Sequence, residues 1–77
     1  MNFKKFEDLW NYSEKVSLND NISIDDARNN IIKSLEQSNY GELLYNLSII
    51  SINKNINIFV ELQRAVQNHF LAQQEDD

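Results

Sequence analysis

Turn-forming residues are nearly missing from this chain of 77 residues, which contains no proline and a single glycine, Gly41. A β-rich fold of this size would need several tight turns, and glycine, proline or Asn-Gly pairs usually supply them. The breaks in this chain fall instead at clusters of asparagine, serine and aspartate. The sequence therefore predicts an all-α fold, with one small domain over residues 1–77 built as a compact bundle of four short helices. An acidic tail at 74–77 is expected to fray.

The length limits how much core this domain can bury. A chain this short buries only about 60% of its unfolded surface, so disulfides, a structural metal or oligomerisation commonly add stability. The chain has no cysteine and one histidine, His69, which argues against disulfides and against thiolate or imidazole metal sites. We therefore expect no metal and no cofactor. Oligomerisation or docking on a partner remains, and a homodimer is the predicted state. The alternative is a monomer of modest stability.

The acidic charge balance narrows the classes of partner. The formal net charge is -5 at pH 7, whereas binding to nucleic acid or to anionic lipid requires clustered lysine and arginine. No apolar run reaches the roughly 20 residues that span a bilayer, and the first residues do not resemble a signal peptide. The sequence therefore predicts a cytoplasmic protein that binds neither nucleic acid nor membrane, and its charge is compatible with a basic protein partner.

The first half of the chain shows two amphipathic helical patterns. Helix one is predicted over about residues 3–16, where apolar residues recur three and four apart, with Asn2 as its cap. Helix two is predicted to begin after Ser23, whose hydroxyl can accept a hydrogen bond from an early backbone N–H. The segment 37–41 is predicted to end it and turn the chain. The buried stripe predicted for helix two consists of Ile24, Ala27, Ile31 and Leu35, widened by Ile32.

The segment "SIISINKNINIF", from Ser48 to Phe59, permits two interpretations. Its isoleucines favour two strands around an Asn-Lys-Asn turn. A helical spacing of three and four, however, continues through both flanking segments, which a hairpin would not explain. The helical seam consists of Tyr45, Ile49, Ile52, Ile56, Phe59, Gln63, Val66 and Phe70. We therefore predict helices in this region.

The segment Asn53–Asn55 is predicted to break or kink that helical region, because asparagine side chains compete for backbone hydrogen bonds. This gives helix three at about 41–52 and helix four at about 55–73. The alternative is one uninterrupted helix of about thirty residues, which would favour a coiled-coil dimer.

Helix four carries a second apolar line, which makes it the strongest candidate for a contact with another molecule. This line consists of Ile58, Leu62, Ala65 and, past His69, Ala72. An equally good interpretation is a wide stripe that faces the domain's own core. Gln63 is a candidate for setting the register between paired helices. His69 lies near the helix end, where a structural role is expected. The predicted partner-binding residues are Trp10, Tyr45, Ile58, Leu62, Gln63, Ala65 and His69.

No residue pattern indicates an enzyme. One histidine specifies no catalytic triad, and one glycine is too few for a phosphate-binding loop. The aspartates at 20, 25 and 26 do not have the spacing of a calcium loop. The predicted function is therefore a non-enzymatic intracellular protein–protein interaction module, acting as an adaptor, regulator or inhibitor and self-associating. The alternative is an acidic inhibitor, of the antitoxin, immunity-protein or phage-inhibitor type, that blocks a basic nucleic-acid-binding protein.

Overall fold

The fold consists of four helices. A computed structural model of the protein describes residues 5–75, with the side chains through Gln74. The helices are α1 (Phe6–Ser17), α2 (Ile24–Glu36), α3 (Tyr40–Asn53) and α4 (Ile58–Glu75), and the described range contains no strand. The predicted all-α bundle of four short helices, with a break near Asn53–Asn55, is confirmed. The predicted cap at Asn2 and the tail residues 76 and 77 lie outside the described residues.

Side-chain caps fix the starts of the two central helices. The Ser23 Oγ accepts a hydrogen bond from the Asp26 backbone N–H at 3.1 Å, so α2 begins where the sequence predicted. Asn39 caps α3 in the same way, since its Oδ1 accepts from the Glu42 N–H at 3.2 Å. Each cap satisfies a backbone donor that the first turn of a helix leaves without an intrahelical partner.

The turn after α2 is a Schellman motif built without glycine. The Asn39 N–H donates to the Ser34 carbonyl at 2.8 Å, and the Ser38 N–H donates to the Leu35 carbonyl at 3.2 Å. Ser38 has a φ of 56°, in the left-handed region where this motif usually places glycine. The sequence prediction put Gly41 in this turn, but Gly41 lies inside α3.

The turn after α3 has the same construction and produces the predicted break. The Ile56 N–H donates to the Ser51 carbonyl at 2.9 Å, and Asn55 has a φ of 54°. The Ser51 hydroxyl also donates back to the Ile56 carbonyl at 2.9 Å. Asparagine is the residue that most often replaces glycine at this position, so Asn55 ends α3 and lets α4 leave in a new direction.

Helix α3 is the central element, because it packs against both α2 and α1. Helices α2 and α3 are joined by three residues, 37–39, and form a helical hairpin. We refer to α1, α2 and α3 together as the three-helix body. Helix α3 has apolar residues nearly all round, and a helix of that kind is usually buried.

The buried contacts of the three-helix body use small and polar residues. The buried apolar side chains within residues 5–74 are Trp10, Ala27 and Ile49, and the buried polar ones are Ser17, Ser34, Asn46, Ser48 and Ser51. The stripe predicted for α2 is therefore partly wrong: Ala27 is buried, whereas Ile32 and Leu35 are more than half exposed. Small side chains let the helix backbones approach closely, which leaves larger side chains at the rim.

Hydrogen bonds satisfy the buried hydroxyl and amide groups. Ser48 donates its only hydroxyl hydrogen to the Tyr45 carbonyl, so Ser13 is the donor in the 2.7 Å bond between the Ser13 and Ser48 hydroxyls. Asn30 donates from Nδ2 to the Asn46 Oδ1 at 3.1 Å, which links α2 to α3. Polar bonds of this kind fix the helix register without adding much apolar burial.

Helix α4 extends away from the three-helix body. The radius of gyration is 14.7 Å, whereas a compact domain of this length would have about 11 Å. The longest axis of the molecule measures 48 Å, and residues 60–74 of α4 are all exposed. Most of α4 therefore projects from the three-helix body.

Candidate interaction surface

Helix α4 is attached to the body by three aromatic rings, Phe6, Trp10 and Phe59, which we call the aromatic cluster. The ring centroids of Phe6 and Phe59 lie 6.3 Å apart with an interplanar angle of 89°, and those of Trp10 and Phe59 lie 6.4 Å apart. Phe6 and Trp10 on α1 are 6.1 Å apart. Edge-to-face pairs at these distances are favourable, so the first turn of α4 is held against α1.

Trp10 is the buried member of this cluster, with 4% of its surface exposed. Its indole Nε1 is buried and has no hydrogen-bond partner within the described residues. Leaving such a donor unsatisfied costs about 1–3 kcal/mol. The contribution of Trp10 at this position therefore comes from its packing against Phe6 and Phe59.

Beyond Phe59, one side of α4 presents apolar side chains to solvent. Phe59, Leu62, Val66 and Phe70 are spaced three, four and four residues apart, so they lie within an arc of about 80°. We call these four residues the α4 apolar face. Leu62 is 61% exposed, Val66 59% and Phe70 55%. Side chains of this size rarely form a continuous exposed line unless another molecule covers them.

The opposite side of α4 is mainly polar and carries the charged side chains of Glu61 and Arg64. Arg64 Nη1 and Glu61 Oε1 form an exposed ion pair at 3.5 Å. At the helix start, the Asn57 Oδ1 accepts from the backbone N–H groups of Phe59 and Val60 at 3.1 and 3.3 Å. The helix is thus capped and amphipathic, and beyond Phe59 its apolar side is exposed within the described residues.

A second exposed apolar surface lies between α1 and α3. Phe6 and Leu9 on α1 face Leu44 on α3 across a shallow groove lined mainly by carbon atoms. Phe6 is 55% exposed and also belongs to the aromatic cluster. The groove is therefore connected to the α4 apolar face through the contact between Phe6 and Phe59.

The structure separates the predicted partner-binding residues into two groups. Leu62, Gln63, Ala65 and His69 are exposed on α4. The remaining three lie in the three-helix body or at its junction with α4. Trp10 is buried, and Tyr45 and Ile58 are half-buried. Because residues 60–74 are exposed, the members of the second apolar line beyond Ile58 do not face the core of their own domain. The partner-binding role of all seven residues stays a prediction.

Several residues of the α4 apolar face and of the groove between α1 and α3 were not among the predicted partner-binding residues. Val66 and Phe70 belong to the predicted helical seam, and their continued spacing beyond Phe59 was the signal that could have identified them. Leu9 and Leu44 carried no comparable signal, because their patterns equally predict burial. Large apolar residues look alike in sequence whether the surface that covers them is their own or another chain's.

Tyr45 has a polar role at the edge of the body. Its hydroxyl donates a hydrogen bond to the Asp20 carboxylate. This bond, followed by burial and by the negative charges of Asp20 and Glu42, raises the pKa of Tyr45 from 10.0 to about 12. The bond fastens α3 to the segment between α1 and α2.

The described residues hold no group of three histidine, cysteine, aspartate or glutamate side chains arranged to bind a metal ion. Over the same residues, no helix combines the length and the apolar character that crossing a membrane requires.

Comparison with known proteins identifies no relative of this chain, since no family model, curated protein or solved structure matches it significantly.

Proposed function

We propose that this protein is a non-enzymatic protein–protein interaction module that self-associates through α4. The observation that supports the proposal is the exposed α4 apolar face on a helix whose first turn is firmly packed. The aromatic cluster and the Asn57 cap fix the start and direction of α4. The rest of the helix then projects for about 20 Å at 1.5 Å per residue. An amphipathic helix displayed in this way is a common means of docking to another helix or to a groove.

The energies are consistent with a weak complex. Leu62, Val66 and Phe70 are each a little over half exposed, so covering them contributes roughly 1–2 kcal/mol per side chain. Two copies together would contribute about 6–12 kcal/mol, against an association cost of about 4–15 kcal/mol. The largest gain set against the smallest cost leaves about 8 kcal/mol, which corresponds to a dissociation constant of about 1 μM, so we expect self-association no tighter than micromolar.

Sedimentation of the full chain tests this proposal with two variants of equal charge. Val66→Asp places a carboxylate in the α4 apolar face, whereas Asn68→Asp places one on the opposite, polar side. We expect the wild-type chain and Asn68→Asp to form dimers at micromolar concentration and Val66→Asp to remain monomeric. Both residues are exposed, so both variants should keep the buried environment of Trp10, which its fluorescence reports.

Two results would contradict the proposal. A wild-type chain that sediments only as a monomer would exclude self-association at those concentrations. Equal dimerisation of Val66→Asp and the wild type would exclude α4 as the surface involved.

A further inference from the structure

We propose that the occupant of the α4 apolar face is the same face of a second copy, aligned antiparallel with Val66 on the two-fold axis. This inference rests on the proposed self-association and adds its orientation and register. In a two-fold contact, residue i of one copy meets residue j of the other, and j meets i. In α4, the residues four positions before and four positions after Val66 are both large and apolar, so they can pair in this way.

The side chains on either side of Val66 match under this symmetry. Leu62 and Phe70 lie four residues before and after it, so each would meet the other across the axis. Gln63 and His69 lie three residues before and after it, so an amide would meet an imidazole at the rim of the contact. The large apolar groups nearest the axis therefore oppose each other, and the polar groups Gln63 and His69 oppose each other. Farther from the axis, Phe59 is matched with Gln73, and Phe59 already packs on α1 through the aromatic cluster.

Charge favours a second copy over a basic partner. Each chain carries a formal charge of -5, so two copies repel unless they meet where carboxylates are absent. The α4 apolar face and its neighbours Gln63, Ala65 and His69 contain no carboxylate. The acidic residue in the first turn of α4, Glu61, points away from this face and is paired with Arg64. A surface made for a basic protein would instead be bordered by acidic side chains.

The area of contact favours alignment along the whole helix. A stable interface covers about 800 Å² per partner, which a brief crossing of two helices does not provide. In the antiparallel register, Phe70 of one copy lies beside Leu62 of the other, one turn from the aromatic cluster. The contact would then continue from α4 onto the exposed edge of Phe6.

The antiparallel direction is also favoured by the helix termini. Antiparallel helix dipoles attract, whereas parallel helices bring their carbonyl ends together. Helix α4 ends at Glu75, so a parallel pair would also place two acidic C-terminal ends side by side. The antiparallel pair keeps these ends apart by the length of the helix.

Disulfide trapping tests the orientation, because the chain has no cysteine of its own. The full-length variants Leu62→Cys and Phe70→Cys are oxidised singly and as a mixture. We expect the mixture to give a cross-linked dimer and each variant alone to give none, since a disulfide requires Cα atoms within about 7 Å. Asn68→Cys, on the polar side, is the control and should not cross-link in any mixture.

Each other outcome overturns a distinct statement. Cross-linking of Leu62→Cys with itself and of Phe70→Cys with itself would show a parallel pair. Cross-linking of only one of them with itself would show an antiparallel pair centred on that residue. Either result overturns the register and leaves self-association through α4 intact. A wild-type dimer without any α4 cross-link would overturn both the register and the role of α4. A wild-type chain that stays monomeric would overturn the self-association on which the register rests.

Discussion

At the scale of single residues, hydroxyl and amide side chains join the helices of the body. Ser48 and Asn46 on α3 are buried, and they bond to Ser13 on α1 and to Asn30 on α2. Both also bond back to carbonyls of their own helix. Their polar groups are satisfied in this way, and the helices can approach more closely than leucine or isoleucine would allow.

The bond between Tyr45 and Asp20 leads to a pH prediction. Because the pKa of Tyr45 is raised to about 12 in the folded chain, this bond stabilises the fold fully below pH 10. Its contribution is lost as the pH rises through 12. We expect Asp20→Asn to move the pKa of Tyr45 back toward 10.0, because the variant removes the charge that opposes ionisation.

Ultraviolet absorbance during an alkaline titration measures this change, and the difference from Tyr45→Phe isolates the phenol concerned. Asp25→Asn removes the same charge elsewhere and serves as the control. If Asp20→Asn leaves the titration of Tyr45 unchanged, the Asp20 carboxylate is not what raises the pKa of Tyr45.

Sequence patterns did not identify the buried serines, and the reason is physical. Periodicity ranks Ile32 and Leu35 as core residues because they are large and apolar. Burial, however, depends on how closely two backbones approach, and that distance is set by the small side chains between them. Ala27 and Ser34 let α2 lie close to α3, so the larger neighbours remain at the rim.

At the scale of helices, local chemistry determines where each element begins and ends. The start of α2 and the break after α3 were predictable, because Ser23 is a strong cap and Asn55 tolerates the left-handed conformation. The turn after α2 was predicted less well, because serine at position 38 adopts a conformation usually left to glycine. The sequence prediction placed the nearby Gly41 in this turn, although Gly41 lies within α3.

The caps of α3 and α4 are expected to have different effects when removed. Asn39→Ala and Asn57→Ala each delete a side-chain acceptor at a helix start, at a cost of about 1 kcal/mol. Helix α3 is packed in the body, so Asn39→Ala should lower the free energy of global unfolding by that amount. Helix α4 is exposed after its first turn, so Asn57→Ala should instead increase local opening of α4.

Amide hydrogen exchange measured residue by residue distinguishes the two effects at a low protein concentration, where the chain is monomeric. The expected result for Asn57→Ala is faster exchange in residues 61–70 with unchanged exchange in α2 and α3. A loss of global stability equal to that of Asn39→Ala would mean that α4 is an integral part of the cooperative core.

At the scale of the whole molecule, an acidic chain presents an uncharged apolar surface. The sequence indicated helix four as a contact surface, but it could not show which apolar residues are exposed. The helical seam from Tyr45 to Phe70 has the same spacing whether it packs internally or externally. The structure divides that seam at the turn after α3: Ile49 is buried in the body, and Val66 and Phe70 are exposed.

The salt dependence of self-association follows from this charge distribution. We expect the dimer to become slightly tighter as salt is raised, because salt screens the repulsion between two copies of charge -5 and breaks no interfacial ion pair. Sedimentation at low and high salt measures the effect. Dissociation at high salt would show that opposite charges hold the complex together, as expected for an acidic inhibitor bound to a basic partner.

The serine-lined contacts of the body have a thermal consequence. Five of the eight buried residues within residues 5–74 are polar, so the heat-capacity change of unfolding should fall below the usual value of about 12–15 cal/mol/K per residue. The proposed self-association through the α4 apolar face should depend more strongly on temperature, because hydrophobic contacts weaken on cooling. Cooling should therefore separate the two copies while the helices of each one stay folded.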